Sequence, residues 1–363
     1  MKICSVVGAR PQFVKSAAVS RAIQRDGRIS EVLIHTGQHY DFAMSEVFFR
    51  ELALPPPQHS LGVGSASHGV QTARILERVE SVLQAEAPRA LLIYGDTNST
   101  LAAALAAAKL HIPVAHVEAG LRSFNRRMPE EINRIVADSI ADLFFAPTET
   151  AVARLRAEGQ SADRIVFTGD VMYDVALMTA SVAEQRSQIL DDIGVSHSNY
   201  YLATIHRAEN TDDPARLRAI FEVLARVARS YPVALPLHPR TRAALEREGM
   251  LDGLGGGIIK LQPLGYLDMA RLEMSARAVA TDSGGVQKEA FFYRKPCFTF
   301  RDETEWVELV DAGWNTLLPL DDPQSIAAKM LDLDAQRPHE IAPYGDGHAA
   351  EIIVEELVRR YSG

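Results

Sequence analysis

Asp96 closes the apolar run Leu91-Leu-Ile-Tyr-Gly-Asp, and Glu118 closes the run Val114-Ala-His-Val-Glu. A carboxylate that ends an apolar strand is costly to bury without a role. A further acidic pair, Glu130 and Glu131, opens the segment Pro129-Glu-Glu-Ile-Asn-Arg134. Arg122 and Arg134 follow these acids closely enough to tune them. Carboxylates so gathered can carry protons to and from a substrate, or stabilise positive charge as a bond to a leaving group breaks. Milder roles compete with these. Asp96 could cap the helix after it, and acids suit the first turn of a helix, a description that fits Glu131 better than the others.

A second set of residues suits an anion. Arg10 and Lys15 follow the first apolar run, His206 and Arg207 follow another, and His238 and Arg240 follow a third. Each alone reads as an exposed loop charge or a capping histidine; together they read as a convergent anion pocket. The segment Thr281-Asp-Ser-Gly-Gly-Val-Gln-Lys-Glu289 is a strand end, a turn and a helix start. Its Ser283-Gly284-Gly285 turn can offer backbone N–H groups, and the helix N-terminus favours phosphate charge. Glu289 can accept hydrogen bonds from a ribose. The alternative is a tight turn capped by Ser283. The chain has no G-x-G-x-x-G fingerprint, which argues against a nicotinamide or flavin dinucleotide. It also has no Walker loop, Ser-His-Asp order or metal-ligand spacing, so no metal or cofactor is expected.

The elements that must position these residues alternate in type. Apolar runs suggest strands at Ile3–Val7, Glu31–His35, Ala90–Tyr94, Val114–Glu118, Leu143–Ala146 and Ile165–Thr168. A second series covers Tyr200–Thr204, Val233–Pro236, Ile258–Leu261, Ala278–Thr281 and Cys297–Phe300. Helical patterns lie between, as at Val14–Gln24, His68–Ala85, Pro129–Ile140 and Pro214–Ser230. Near-continuous apolar strands alternating with helices mean parallel sheets covered on both faces. In such sheets ligands bind beyond the carboxyl ends of the strands, where the acids and bases above all fall. The 363 residues suit two doubly wound, Rossmann-like α/β domains facing a cleft. The expected division is 1–170, 171–345 and a final helix, 346–363, packing back on the first domain.

Composition narrows the partners. A net charge of −9 argues against nucleic acid or an anionic membrane as the main partner. No run approaches the length of a membrane span. MKICSVVGARP is too short an apolar run for a signal peptide. Cys4 and Cys297 lie inside apolar runs, as reduced core residues of a cytoplasmic protein would.

The motifs occur in a familiar order. Gly8-Ala-Arg-Pro…Lys15, His35-Thr-Gly-Gln-His39, Gly95-Asp-Thr97, Val117-Glu-Ala-Gly-Leu-Arg122, Pro129-Glu-Glu-Ile-Asn-Arg134, His206-Arg and Thr281–Glu289 resemble the non-hydrolysing UDP-N-acetylglucosamine 2-epimerases of bacteria across the whole chain. The resemblance implies a fold like that of the B-type glycosyltransferases (GT-B-like) and a homodimer without metal or redox cofactor. It also implies a reaction: UDP is eliminated as C2 of the sugar loses its proton, C2 is reprotonated from the other face, and UDP adds back. Asp96, Glu118 and Glu130 would carry the acid/base work, supported by His206 and Arg134. Arg10, Lys15, His206, Ser283, Gly284, Gly285 and Glu289 would hold UDP.

The substrate is a UDP-amino sugar by the same resemblance. GARPQ in place of the common GTRPE, Thr97-Asn-Ser-Thr100, Asp282-Ser-Gly-Gly-Val-Gln-Lys and Arg301-Asp-Glu-Thr-Glu-Trp-Val-Glu resemble the branch acting on UDP-2,3-diacetamido-2,3-dideoxyglucuronate for surface polysaccharide. The basic loop Ser123-Phe-Asn-Arg-Arg127 would suit a C6 carboxylate, with Arg122 and Arg127 as candidate ligands; a solvated loop is the alternative. UDP-N-acetylglucosamine itself is the competing substrate. Some family members use the region of Gln38-His39 for activation by substrate, but here Tyr40-Asp41 follow. A glycosyltransferase of the same architecture would need an acceptor site and has no reason to collect three acids. A non-catalytic UDP-sugar sensor would have no use for them either.

Overall fold

The computed structural model describes residues 1–38, 55–335 and 338–362. The chain divides into two compact units, Met1–Val175 with Ala342–Gly363, and Ala176–Ile341.

The first unit is built on a parallel sheet of strands β1 (Lys2–Val7), β2 (Ser30–His35), β3 (His59–Ser60), β4 (Ala90–Tyr94), β5 (Val114–Val117), β6 (Leu143–Ala146) and β7 (Ile165–Phe167). Their spatial order is β3-β2-β1-β4-β5-β6-β7. The order reverses direction between β1 and β4, so this is the switch point of a doubly wound fold. Strands β1, β4, β5 and β6 are buried on both faces, as their unbroken apolar runs require. Ala102, Ala103, Ala106 and Ala107 of the helix Asn98–Lys109 are all fully buried, and small side chains here let that helix lie close against the sheet. Thr97 caps this helix by accepting from the Thr100 N–H. Asp96 therefore does not serve as the cap.

The second unit repeats the plan with β8 (Tyr201–Thr204), β9 (Val233–Pro236), β10 (Ile258–Leu261), β11 (Ala278–Thr281), β12 (Cys297–Thr299) and β13 (Asn315–Leu317). The order is β10-β9-β8-β11-β12-β13, with its switch point between β8 and β11. One face packs Phe221, Leu224, Leu235 and Phe298, and the other packs Tyr200, Leu202, Leu272 and Val279.

The chain passes from the first unit to the second between Val175 and Ala176, inside the helix Val171–Arg186. The terminal helix Ala349–Tyr361 lies in the first unit against the helix Arg10–Asp26. Asp174 accepts the N–H groups of Ala349 and Ala350 at 3.2 and 2.8 Å, capping its start. Ile353, Val354 and Leu357 form its buried face. Among the described residues, no helix is long and apolar enough to cross a membrane.

Candidate active site

In the first unit the chemistry gathers beyond β1, β4 and β5. Arg10 opens the helix after β1, and Lys15 lies further along it. The Lys15 ammonium is paired with the Glu118 carboxylate, both largely buried. Glu118 has a backbone φ of +69°, a left-handed conformation that disfavours most side chains. Gly95 precedes Asp96 with φ +61°. A methyl group at Gly95 would sit 3.2 Å from Glu118 Oε2 and 3.4 Å from Lys15 Nζ. Glycine is therefore what lets the β4 turn lie against the ion pair.

Asp96 is paired with Arg134 of the helix Pro129–Ile140. Arg134 also donates to Glu131 at 3.1 Å. Glu131 is buried and accepts the Ser123 N–H at 2.8 Å, the Ser123 hydroxyl at 3.0 Å and the Phe124 N–H at 2.9 Å. Burial alone would raise its carboxyl, but those donors and Arg134 outweigh burial and hold it below the usual range. Glu131 is thus more than a first-turn acid: it ties the 123–128 loop to the helix. Glu130, its neighbour, is exposed. β4 and β5 are adjacent and in register, with Tyr94 opposite Val117. The structure thus brings the Asp96 and Glu118 turns side by side, with Glu130 on the helix that holds Arg134.

Arg122 occupies a different place from the ligand position expected of it. Its guanidinium is 2% exposed and donates to Asp138 at 2.7 Å and to Glu158 at 2.9 and 2.6 Å. Arg127 does lie exposed in the 123–128 loop. Gln38 accepts from the Ser99 N–H and hydroxyl at 2.9 and 2.7 Å; His39, Tyr40 and Asp41 lie outside the described residues.

In the second unit the corresponding groups flank β8 and β11. His206 and Arg207 follow β8, and the His206 and His238 rings lie 5.5 Å apart. His238 caps the helix Pro239–Arg247 by accepting the Arg240 N–H. Burial first, then the nearby charges of His206 and Arg240, lowers the His238 ring's proton affinity, partly offset by Asp282. Arg240 is paired with Asp212. Ser283 caps the helix Gly284–Phe292, with Gly284 buried, Gly285 exposed and Glu289 half-buried. Tyr266 hydroxyl donates to Glu289 at 3.4 Å.

Asp282, fully buried, escaped the sequence reading. It accepts the His206 N–H at 3.1 Å, the Arg207 N–H at 3.0 Å and the Asn210 amide at 3.0 Å. It therefore fixes the His206–Arg207 turn against the β11 turn. Two departures from the common family pattern also meet here. Lys288 Nζ lies 4.4 Å over the Trp306 ring, and the Trp306 indole N–H donates to the Gly284 carbonyl at 2.8 Å. Among the described residues no group of His, Cys, Asp or Glu could hold a metal ion.

Two Rossmann-like units, each with ionisable side chains gathered at the switch point of a parallel sheet, define a GT-B-like α/β protein. The chain belongs to the UDP-N-acetylglucosamine 2-epimerase family, whose model matches residues 21–358. It is 48% identical to the UDP-2,3-diacetamido-2,3-dideoxy-D-glucuronate 2-epimerase of Pseudomonas aeruginosa, over 99% of this chain and 100% of that protein. The structure of UDP-GlcNAc 2-epimerase from Methanocaldococcus jannaschii superposes with a TM-score of 0.90 at 38% identity, over 99% of this chain and 100% of that one. The same archaeal enzyme in complex with UDP-GlcNAc and UDP gives a TM-score of 0.84 at 39% identity, over 99% and 100%.

Proposed function

We propose that this protein is a non-hydrolysing epimerase that inverts C2 of UDP-2,3-diacetamido-2,3-dideoxy-D-glucuronate, giving the manno isomer for surface polysaccharide. The observation that carries the substrate is the end-to-end 48% identity to the Pseudomonas enzyme of that name. UDP-N-acetylglucosamine is the second reading, favoured by the close structural match to the archaeal enzyme seen with that sugar nucleotide.

The chemistry follows from acids held in unlike surroundings. One carboxylate takes the C2 proton while the electron pair of that C–H bond forms the C1–C2 double bond. The C1–O bond breaks with its electrons going to UDP. A second carboxylate returns a proton to C2 from the opposite face, and UDP adds again at C1. Asp96 beside Arg134, Glu118 beside Lys15 and the exposed Glu130 are our candidates for these transfers. In the second unit His206, Arg207, His238 and the Ser283–Gly285 turn are our candidates for the diphosphate and Glu289 for the ribose; in the first unit Arg10 and Lys15 are our candidates for phosphate charge. Arg127 is the remaining candidate for a C6 carboxylate. UDP must stay bound between the two half-reactions, or the enzyme would be a hydrolase. We further propose a cytoplasmic homodimer, which sedimentation in solution would test.

The deciding experiment supplies each UDP-sugar alone in deuterated water and follows C2 by NMR. Deuterium at C2 and the manno isomer are expected with the diacetamido uronate. Turnover of UDP-N-acetylglucosamine alone would overturn the substrate assignment. No exchange with either, and transfer only when an acceptor is added, would replace the epimerase with a glycosyltransferase.

A further inference from the structure

His116 and Asp138 form a buried pair beneath the candidate acids of the first unit. His116 lies in β5 with its side chain fully buried, and Asp138 is 1% exposed on the helix Pro129–Ile140. The ring Nε2 is 2.7 Å from the Gly95 carbonyl oxygen, and Nδ1 is 2.7 Å from Asp138 Oδ1. A carbonyl only accepts, and so does an ionised carboxylate, so both ring nitrogens donate. Asp138 Oδ2 accepts the Gly120 N–H at 3.0 Å and Arg122 Nη1 at 2.7 Å. Burial would raise the Asp138 carboxyl, but His116 and then Arg122 more than offset it and hold the group below its usual range.

We propose that the Asp138–His116 pair is a positioning device that sets the spacing of the Asp96, Glu118 and Glu130 segments. The proposal rests on reading those acids as the proton-transfer groups. Three segments need such a device. Gly95 and Gly120 take positive φ, 61° and 80°, at no cost, but Glu118 between these turns is held at 69°, a left-handed conformation that its surroundings must enforce. His116 ties the first turn and Asp138 the second. Asp138 belongs to the helix that bears Glu130 and Arg134, and Asn133 of that helix donates to the Asp96 carbonyl at 2.9 Å. Hydrogen bonds in a dry interior are strong only when every member is satisfied, so loss of one member frees the rest.

The test compares Asp138→Ala, Asp138→Asn and His116→Asn in the full chain. In Asp138→Asn the amide oxygen can take the Gly120 and Arg122 bonds, and its NH2 can donate to His116 Nδ1. The ring then accepts there and still donates to Gly95, so every tie survives. Asp138→Asn should keep kcat within about threefold of wild type, while Asp138→Ala loses about a hundredfold, as small misplacements of reacting groups do. UDP affinity by calorimetry should stay within about threefold in both, a shift well under 1 kcal/mol. His116→Asn keeps the Asp138 tie and breaks the Gly95 tie, and should lower kcat about tenfold or more. Wild-type kcat in Asp138→Ala or in His116→Asn would overturn the proposal. So would an Asp138→Asn variant as impaired as Asp138→Ala. If Asp138→Ala does not fold, the other two variants decide.

A wild type that exchanges no C2 proton with either sugar would sink the epimerase reading instead. Nitrogen-15 NMR of the histidine rings then tests the pair without turnover. Two slowly exchanging ring N–H signals from His116 are expected in wild type and one in Asp138→Asn. A single signal in wild type would refute the device.

Discussion

Replacing Glu131 with glutamine should loosen the 123–128 loop by an amount the hydrogen bonds allow us to work out. Glu131 Oε1 accepts the Phe124 N–H, and Oε2 accepts the Ser123 N–H, the Ser123 hydroxyl and Arg134. In Glu131→Gln one of the two positions becomes an NH2 group. Placed at Oε2 it would oppose three donors, so it takes the Oε1 position and faces the Phe124 N–H. One hydrogen bond to a charged acceptor is lost, about 1.5–3 kcal/mol. Local opening then becomes about 10- to 150-fold more frequent, at about 1.4 kcal/mol per tenfold. Amide hydrogen exchange at Phe124, read by NMR or by mass spectrometry of the 123–128 peptide, measures this directly. The effect also has a sign in pH. The carboxyl is held below its usual value in the folded protein, so its stabilisation is fully present above the unfolded value, about 4.3, and is lost as pH falls through the folded value. Wild type and variant should therefore converge in acid. A change in exchange below about threefold at pH 7, or a gap that widens in acid, would refute this account of the loop.

Gly95→Ala must hold a left-handed alanine, costing about 1 kcal/mol, and press its methyl on the Lys15–Glu118 pair; a folded protein with full activity would count against the tight fit. Asp174→Ala removes the cap of the helix Ala349–Tyr361. It should cost about 1 kcal/mol and speed proteolysis around residue 341, and unchanged cleavage would contradict that. Burial pushes the Cys4 and Cys297 thiols up to about 12. Neither should react with a thiol reagent at pH 8 until the protein is denatured, and rapid labelling of the native chain would show otherwise.

The elements that sequence makes plain are those whose apolar run is unbroken. Ala90–Tyr94, Leu143–Ala146, Val233–Pro236 and Ala278–Thr281 begin and end where the run does. His59–Ser60 and Asn315–Leu317 carry no such signal, because a two- or three-residue strand at or near a sheet edge takes its conformation from its neighbour. The placement of Asp96 and Glu118 at neighbouring strand ends was legible for the same reason. Arg122 was not. Its charge suggests an exposed ligand, and only the path of the chain after Gly120 shows that it turns inward to Asp138 and Glu158. His116 and Asp138 were overlooked because a histidine inside a strand reads as core. The available hint was a titratable residue at the centre of a strand buried on both sides, which needs two partners. Asp282 carried a similar hint, since an acid next to a phosphate-type turn would repel the ligand unless other donors held it.

The first unit is closed by residues 342–363, which the ribosome makes only after all of the second unit. A nascent chain carrying strands β1 to β7 still lacks the helix that covers Arg10–Asp26, together with the Arg28–Glu355 pair. The second unit can complete its own sheet while the first remains open. The half bearing Asp96 and Glu118 is then the last to complete its packing, because the buried face Ile353, Val354 and Leu357 reaches it only once synthesis has passed residue 342.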